Sequence, residues 1–496
     1  MLRSPLRLPS ARHFALTWGL ADQPGGMTGA LLQRSRSFRR LGGVDVDILT
    51  LDDRPDYPEL SARLRSSGEL IDGVRIRNLW DELRERVPAT RGPEPTPVEL
   101  LEPQEGDRVE SAAGTVLSRT RYGDDGRIVA VDRFRRDGSL LATERPGAER
   151  KIVVHADDGR AIRSFRTSWG LYRWWFDRLT AGKPSFLLVD SKTAARSVAG
   201  YRREHVTCIH IVHASHRRGG QAGTFRASRE SVLRRAADFD AIVVLTPRQR
   251  DDLVDDLAAI GVRARVRTIP NEVEIEADGP SRHDAAHGVV VASLHSRKRL
   301  THAVEAIAAA HAADPRVHLD IFGEGPREDV IRRRIRRLDA DDHVRLRGYD
   351  PGARSSFRSA GFSLLTSTSE GLPLVLVESM AAGCIPIAYD IRYGPADMIR
   401  DGVDGFVVPE GDIAALTRRI LELQTMPQAK VAAMRARAMA RAAEFSDRTV
   451  VRRWSRELRA AYDAKLLEAA RDKPLRVRLR RRAGVVRRRL LRLAGR

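Results

Sequence analysis

The chain has 496 residues, 42% hydrophobic and 31% charged, which is a globular balance, and at about 150 residues per domain there is room for roughly three domains. No apolar run approaches the about 18–20 residues that span a bilayer, and two cysteines, Cys208 and Cys384, can build neither a disulfide framework nor a metal knuckle. The formal net charge is +21, but residues 471–496 carry twelve basic side chains against one acid; half the basicity sits in a tail, which argues against a nucleic-acid surface over the body.

At the start, Arg3, Arg7 and Arg12 accompany only a short apolar stretch at 14–19, interrupted by Thr17 and without a small-residue cleavage site. It reads as a first strand rather than a signal peptide, and the chain as cytoplasmic. Runs at 14–17 and 46–49 are strand candidates, and the Pro- and Glu-rich stretch 85–106 is a loop. Next, 115–118, 128–134, 140–143 and 151–155 alternate with Asp125-Gly126, Asp137-Gly138 and Asp158-Gly159. Asp-Gly between alternating strands is a hairpin signal, so 105–168 is expected to be an antiparallel β insertion.

Strand candidates resume at 186–189, 207–212, 241–245 and 266–269, followed by a polar stretch at 271–288. From there the beat is regular: short apolar runs at 288–293, 317–323, 344–348, 362–366, 385–388 and 405–408, with helical patterns such as 301–312 and 326–338 between them. Strands alternating with helices imply a parallel sheet covered on both faces. The expected organisation is α/β: 10–104 with 169–275 as a first Rossmann-like domain, 105–168 as its insertion, 285–425 as a second Rossmann-like domain, 426–473 as helices and 474–496 as a basic tail. Two such domains facing a cleft would hold a ligand there.

The sharpest constellation runs from Ser367 through Glu370, Gly371-Leu372-Pro373 and Glu378 to Gly383. A strand ends near Thr366, a Ser/Thr/Gly loop follows, and a helix starts at Leu374, whose first backbone N–H groups would make an anion site. Glu378 sits one turn inside a helix of apolar and small residues, where a carboxylate is costly unless it is bonded. From spacing alone, a capping Glu370 and a structural Glu378 fit as well as a ligand site does.

Two glutamates eight positions apart around Gly-Leu-Pro, followed by Ala-Gly-Cys-Ile-Pro, resemble the E-x7-E signature of family 4 retaining glycosyltransferases, which have the GT-B fold. Gly25-Gly26-Met27-Thr28 resembles that family's N-terminal glycine loop, and Phe322-Gly323-Glu324-Gly325-Pro326 its Gly-x-Gly-Pro turn. Asp390 to Pro395, with Asp401 to Val408 and the β insertion, is similar to the branch that glucosylates poly(glycerol phosphate) teichoic acids. The resemblance implies a UDP-sugar donor, with glucose, N-acetylglucosamine and galactose left open, and an anionic polyol-phosphate polymer as acceptor.

It also implies roles. Glu378 would hold the ribose, Glu370 would contact the transferred sugar near its reacting carbon, and the amides after Gly371, along Leu372-Pro373, would help bind the diphosphate with Gly26. The family's Arg-Leu-x-x-x-Lys clamp aligns with Ser293 to Lys298: Lys298 matches, whereas Ser293 stands where Arg is usual, and Arg297 or Arg299 is a candidate replacement. Losing one such donor costs about 10²–10³-fold in rate. His213 ends an apolar strand where α/β sites form. A lone histidine there is more often structural, but by resemblance it faces the donor sugar, with His216 and Tyr393 as weaker sugar or acceptor contacts.

The resemblance further implies that no metal or other cofactor is needed, that transfer would retain configuration and that the departing phosphate oxygen would be the base. Trp169, Tyr172, Trp174 and Trp175 are read as core packing before an acceptor platform. The basic tail suits an anionic membrane surface at the inner face of the plasma membrane, and by resemblance the insertion suits self-association. Rival readings are a transferase acting on protein serine or on capsule or lipid glycans, and a non-catalytic GT-B subunit; nucleic acid is not an expected partner.

Overall fold

Short strands with every residue buried form the centres of two parallel sheets in the computed structural model, which describes residues 6–22, 26–87, 100–112, 114–147, 151–275 and 282–470. Gly25 of the expected glycine loop and the basic tail 474–496 lie outside the described residues. Two compact units are present: the described parts of Met1–Ile211, Ser231–Ala241 and Glu457–Arg496 make the first, and Val212–Glu230 with Ile242–Arg456 the second. The fold class is α/β of the GT-B type.

In the first unit, β1 (Arg12–Leu16), β2 (Val46–Thr50) and β3 (Val74–Asn78) precede an antiparallel meander. Its strands are β4 (Arg108–Ala112), β5 (Thr115–Tyr122), β6 (Ile128–Phe134), β7 (Leu140–Arg145), β8 (Lys151–His155) and β9 (Ala161–Phe165), paired in sequence order. The Asp-Gly turns are built as the sequence implies. Asp125, Asp137 and Asp158 each accept the backbone N–H two residues on, and Gly126, Gly138 and Gly159 take φ of 73–84°. β10 (Ser185–Val189) and β11 (Val206–Val212) then complete a parallel arrangement β11-β10-β1-β2-β3.

The meander is locked to its parent unit by buried charge. Asp53 accepts from Arg84 at 2.5 Å and from Arg133 at 2.7 Å, and Arg133 also pairs with Glu144 and lies 3.9 Å over the Trp80 ring. The expected strands omitted β3, where Val-Arg-Ile-Arg-Asn alternates charge with apolar residues instead of forming an apolar run.

In the second unit, β12 (Ala241–Val244) pairs in parallel with β13 (Val266–Thr268). A six-stranded parallel sheet follows from β14 (Asp284–Val291), β15 (His318–Phe322), β16 (Val344–Gly348), β17 (Ala360–Leu365), β18 (Ile385–Tyr389) and β19 (Phe406–Val408), in the order β16-β15-β14-β17-β18-β19. Strand order reverses between β14 and β17, which makes the ends of these two neighbours the switch point where open α/β sheets bind ligands. β14 ends at Val291, before the expected 293; beyond it Ala292 N donates to Phe322 O at the end of β15, and Leu294 N donates to Glu324 O in the Gly323-Glu324-Gly325 turn.

Candidate active site

Two loops meet at that switch point. The loop after β14 carries the 3₁₀ turn Ser296–Lys298, and the loop after β17 runs from Thr366 to Pro373. They are sewn together through backbone: Thr366 Oγ1 donates to Lys298 O at 2.9 Å, and Thr368 N donates to Arg297 O at 2.8 Å. These bonds bring Lys298 Nζ to 2.6 Å from Glu370 Oε1, which also accepts from Ser367 Oγ at 2.9 Å. Both side chains of the ion pair are largely shielded, 14% and 11% exposed, so their attraction is less screened than at a surface.

The next residue closes the loop against another segment. A Cβ on Gly371 would fall 2.1 Å from His213 O and 3.0 Å from Ala214 Cα, so only glycine permits this backbone approach. His213, half-buried at the end of β11, is thereby held beside the Glu370 loop. Leu372 and Pro373 are buried, and the helix Leu374–Ala381 starts immediately after them. Glu378 lies on that helix, with Oε2 3.0 Å from Arg354 Nε. Burial pushes its carboxyl above the usual carboxylate range, and Arg354 pulls against that shift.

Ser293 and Arg297 are exposed on the loop after β14. Arg299 does not face Glu370: it takes φ 48°, pairs with Glu410 at 2.7 Å and lies 5.9 Å over the Tyr389 ring. Gly26 belongs to the first unit, at the head of the helix Met27–Arg40, where its carbonyl accepts Ala30 N.

His216 and Tyr393 are fully buried and stacked at 5.8 Å, inside an ionic cluster. His216 Nε2 lies 3.0 Å from Asp256, Arg217 bridges Asp256 and Asp252, and Asp252 also accepts from Arg392 and from Tyr393 Oη at 2.7 Å. Burial lowers the His216 pKa against the pull of Asp256. Sequence reading missed this cluster, although Asp252 and Asp256 are four apart on the helix Pro247–Ala259, hence on one face. Arg354 left no local signal, because only the fold brings it to Glu378. Of the tryptophan group, Trp175 and Tyr172 are buried, Trp175 Nε1 donates to Glu82, Trp174 packs on Phe165, and Trp169 is exposed.

Among the described residues, one group of His and Asp is close enough to share an ion: His311, Asp342 and His343. Its imidazoles stack face to face at 3.8 Å, so their in-plane lone pairs run parallel rather than converge. No helix of the described residues is long and apolar enough to cross a membrane.

A doubly wound sheet with a Lys–Glu pair at its switch point, in an α/β chain with an antiparallel insertion, fits the GT-B fold. Residues 273–443 match the family model of group 1 glycosyl transferases, and that segment is a domain of this family. The chain is 33% identical over 238 residues to an exopolysaccharide phosphotransferase of Streptomyces coelicolor, covering 48% of this chain and 24% of that protein. It is 21% identical to the poly(ribitol-phosphate) alpha-N-acetylglucosaminyltransferase of Staphylococcus aureus (83% of this chain, 92% of the relative) and 25% identical to the poly(glycerol-phosphate) alpha-glucosyltransferase of Bacillus subtilis (84% and 70%). A crystal structure of S. aureus TarM with fondaparinux, alpha-GlcNAc-glycerol and UDP superposes with a TM-score of 0.69 at 19% identity, over 90% of this chain and 99% of that one.

Proposed function

We propose that this protein is a retaining hexosyltransferase that moves a hexose from UDP-glucose or UDP-N-acetylglucosamine to a polyol-phosphate polymer of the teichoic acid kind. The observation that carries this reading is the Lys298–Glu370 pair at the sheet's switch point, with Glu378 on the helix that follows. As the sugar leaves, negative charge grows on the diphosphate, and a cation already fixed in a shielded loop stabilises it without reorganising. Lys298 supplies that cation, with the amides of Gly371 and Leu372, while Ser293 and Arg297 flank the phosphates. Glu370, anchored through Oε1, contacts the sugar at its reacting carbon, and Glu378 accepts the ribose hydroxyls.

His213 presents its ring to the donor sugar. His216 and Tyr393 stay in their buried ionic cluster and support the fold rather than touch the substrate. The acceptor hydroxyl attacks the face from which the diphosphate departs, and the departing oxygen takes its proton, so no carboxylate dyad is required. The polyol-phosphate acceptor is supported by the two relatives named for such polymers, which match over four-fifths of this chain.

The test is UDP release from purified protein with UDP-glucose, UDP-N-acetylglucosamine, UDP-galactose and GDP-mannose, each with and without poly(glycerol phosphate), beside Glu378→Ala. Release that needs both acceptor and Glu378 supports the reading. Release with a serine-rich peptide instead of the polymer reassigns the acceptor, and silence with every donor makes the protein a non-catalytic subunit.

A further inference from the structure

The segment Val212–Glu230 packs with the second unit and carries four arginines, Arg217, Arg218, Arg226 and Arg229. Arg217 is neutralised by Asp252 and Asp256. Arg226 is not: its Nε donates to Arg217 O at 3.1 Å, and its terminal nitrogen donates to Ser369 Oγ at 3.2 Å, both uncharged acceptors. Arg229, three residues on, is half-buried, and among the described residues no carboxylate pairs with it. Burial, and then the neighbouring Arg226 charge, lower its pKa to about 10.

Arg229 N donates to Arg226 O at 2.8 Å, so a half-buried guanidinium stands one turn from an exposed second cation, an unfavourable arrangement because desolvation of the first and like-charge repulsion act together. An anion with several oxygens reverses both terms, and the planar donor fork of arginine suits phosphate above other anions. Arg226 touches the residue immediately before Glu370, so such an anion would lie beside the loop that carries the Lys298–Glu370 pair.

We propose that Arg226 and Arg229 form a phosphate-recognition pair at the edge of the Ser367–Gly371 loop, taking a phosphate ester of one of the two reactants. The source of that phosphate, the donor's diphosphate or a phosphodiester of the acceptor polymer, rests on the transferase reading; the chemistry of the pair does not. The first experiment therefore needs no turnover. The full chain is treated with phenylglyoxal, which modifies guanidinium groups, with and without millimolar inorganic pyrophosphate, and labelling is mapped by peptide mass spectrometry. Arg127, 87% exposed, serves as the reference. Protection of Arg226 and Arg229 by severalfold, with Arg127 unchanged, is the expected result; labelling of Arg226 and Arg229 that pyrophosphate changes no more than that of Arg127 overturns the pair.

Kinetics of Arg226→Gln/Arg229→Gln then separate the sources. A donor KM raised roughly tenfold to a hundredfold assigns the diphosphate, and the same rise in acceptor KM assigns the polymer. Arg226→Lys/Arg229→Lys should recover part of the loss, because charge returns without the fork. Pyrophosphate protection in a protein that turns over no donor would leave the pair standing and remove the transferase. Turnover with both KM values within twofold of wild type would remove the pair and leave the transferase.

Discussion

Lys298 Nζ lies 2.6 Å from Glu370 Oε1, joining the loops that follow β14 and β17. These strands are neighbours in the sheet although 72 residues separate the paired side chains. The bond is a product of topology: β14 and β17 lie side by side where strand order reverses, so the loops that follow them meet at the point where open α/β sheets bind ligands. Two further bonds, from Thr366 and Thr368 to carbonyls of the facing loop, fix the pair before any ligand arrives.

Lys298→Met should lower turnover by about 10²–10³-fold, roughly 2.7–4 kcal/mol of transition-state stabilisation. Single-turnover measurement of UDP release checks this. A loss confined to donor KM would mean that the cation binds the ground state and the transition state equally.

Gly371→Ala places a methyl carbon onto the His213 carbonyl, a contact that backbone on both sides cannot relieve without moving. The expected cost is about 1–3 kcal/mol, read as a lowered midpoint in urea. Gly147→Ala, where nothing lies within 4 Å, should change the midpoint little.

Glu378 makes a prediction about pH. Its folded-state pKa is raised, so the folded protein binds this proton more tightly than the unfolded chain does. Ionisation therefore opposes folding: the protein loses stability from this group as pH rises through the ordinary carboxylate range toward the raised value. Glu378→Gln should be more thermostable than wild type at pH 7 and equal to it at pH 4, while binding UDP more weakly at pH 7. Thermal melts and UDP titrations at the two pH values decide it, and a variant less stable at pH 7 would contradict the sign.

The ionic cluster predicts a stability effect without a chemical one. Asp256→Ala strips the buried His216 and Arg217 of a shared carboxylate and should cost about 3–5 kcal/mol. Tyr393→Phe removes one hydrogen bond to Asp252, which keeps Arg217 and Arg392, and should cost about 0.5–1.5 kcal/mol. Both should leave kcat per folded molecule near wild type; a large fall in kcat for Tyr393→Phe would return Tyr393 to the substrate.

The sequence alone determined what is local. Alternation of apolar runs with helical patterns identified the parallel sheets, Asp-Gly pairs identified three hairpins of the insertion, and the spacing of Glu370 and Glu378 around Gly-Leu-Pro placed one on a loop and one on the helix Leu374–Ala381. Each of these is written in neighbouring residues, through backbone preference and side-chain period. What only the tertiary structure decided are pairings across long separations: Lys298 with Glu370, Arg354 with Glu378, Gly371 against His213, and Arg226 with Ser369. It also sorted the histidines, leaving His213 beside the loop and burying His216 against Asp256. Such contacts depend on which strands become neighbours, and the burial that makes a carboxylate or a guanidinium responsive arises only once those strands have packed.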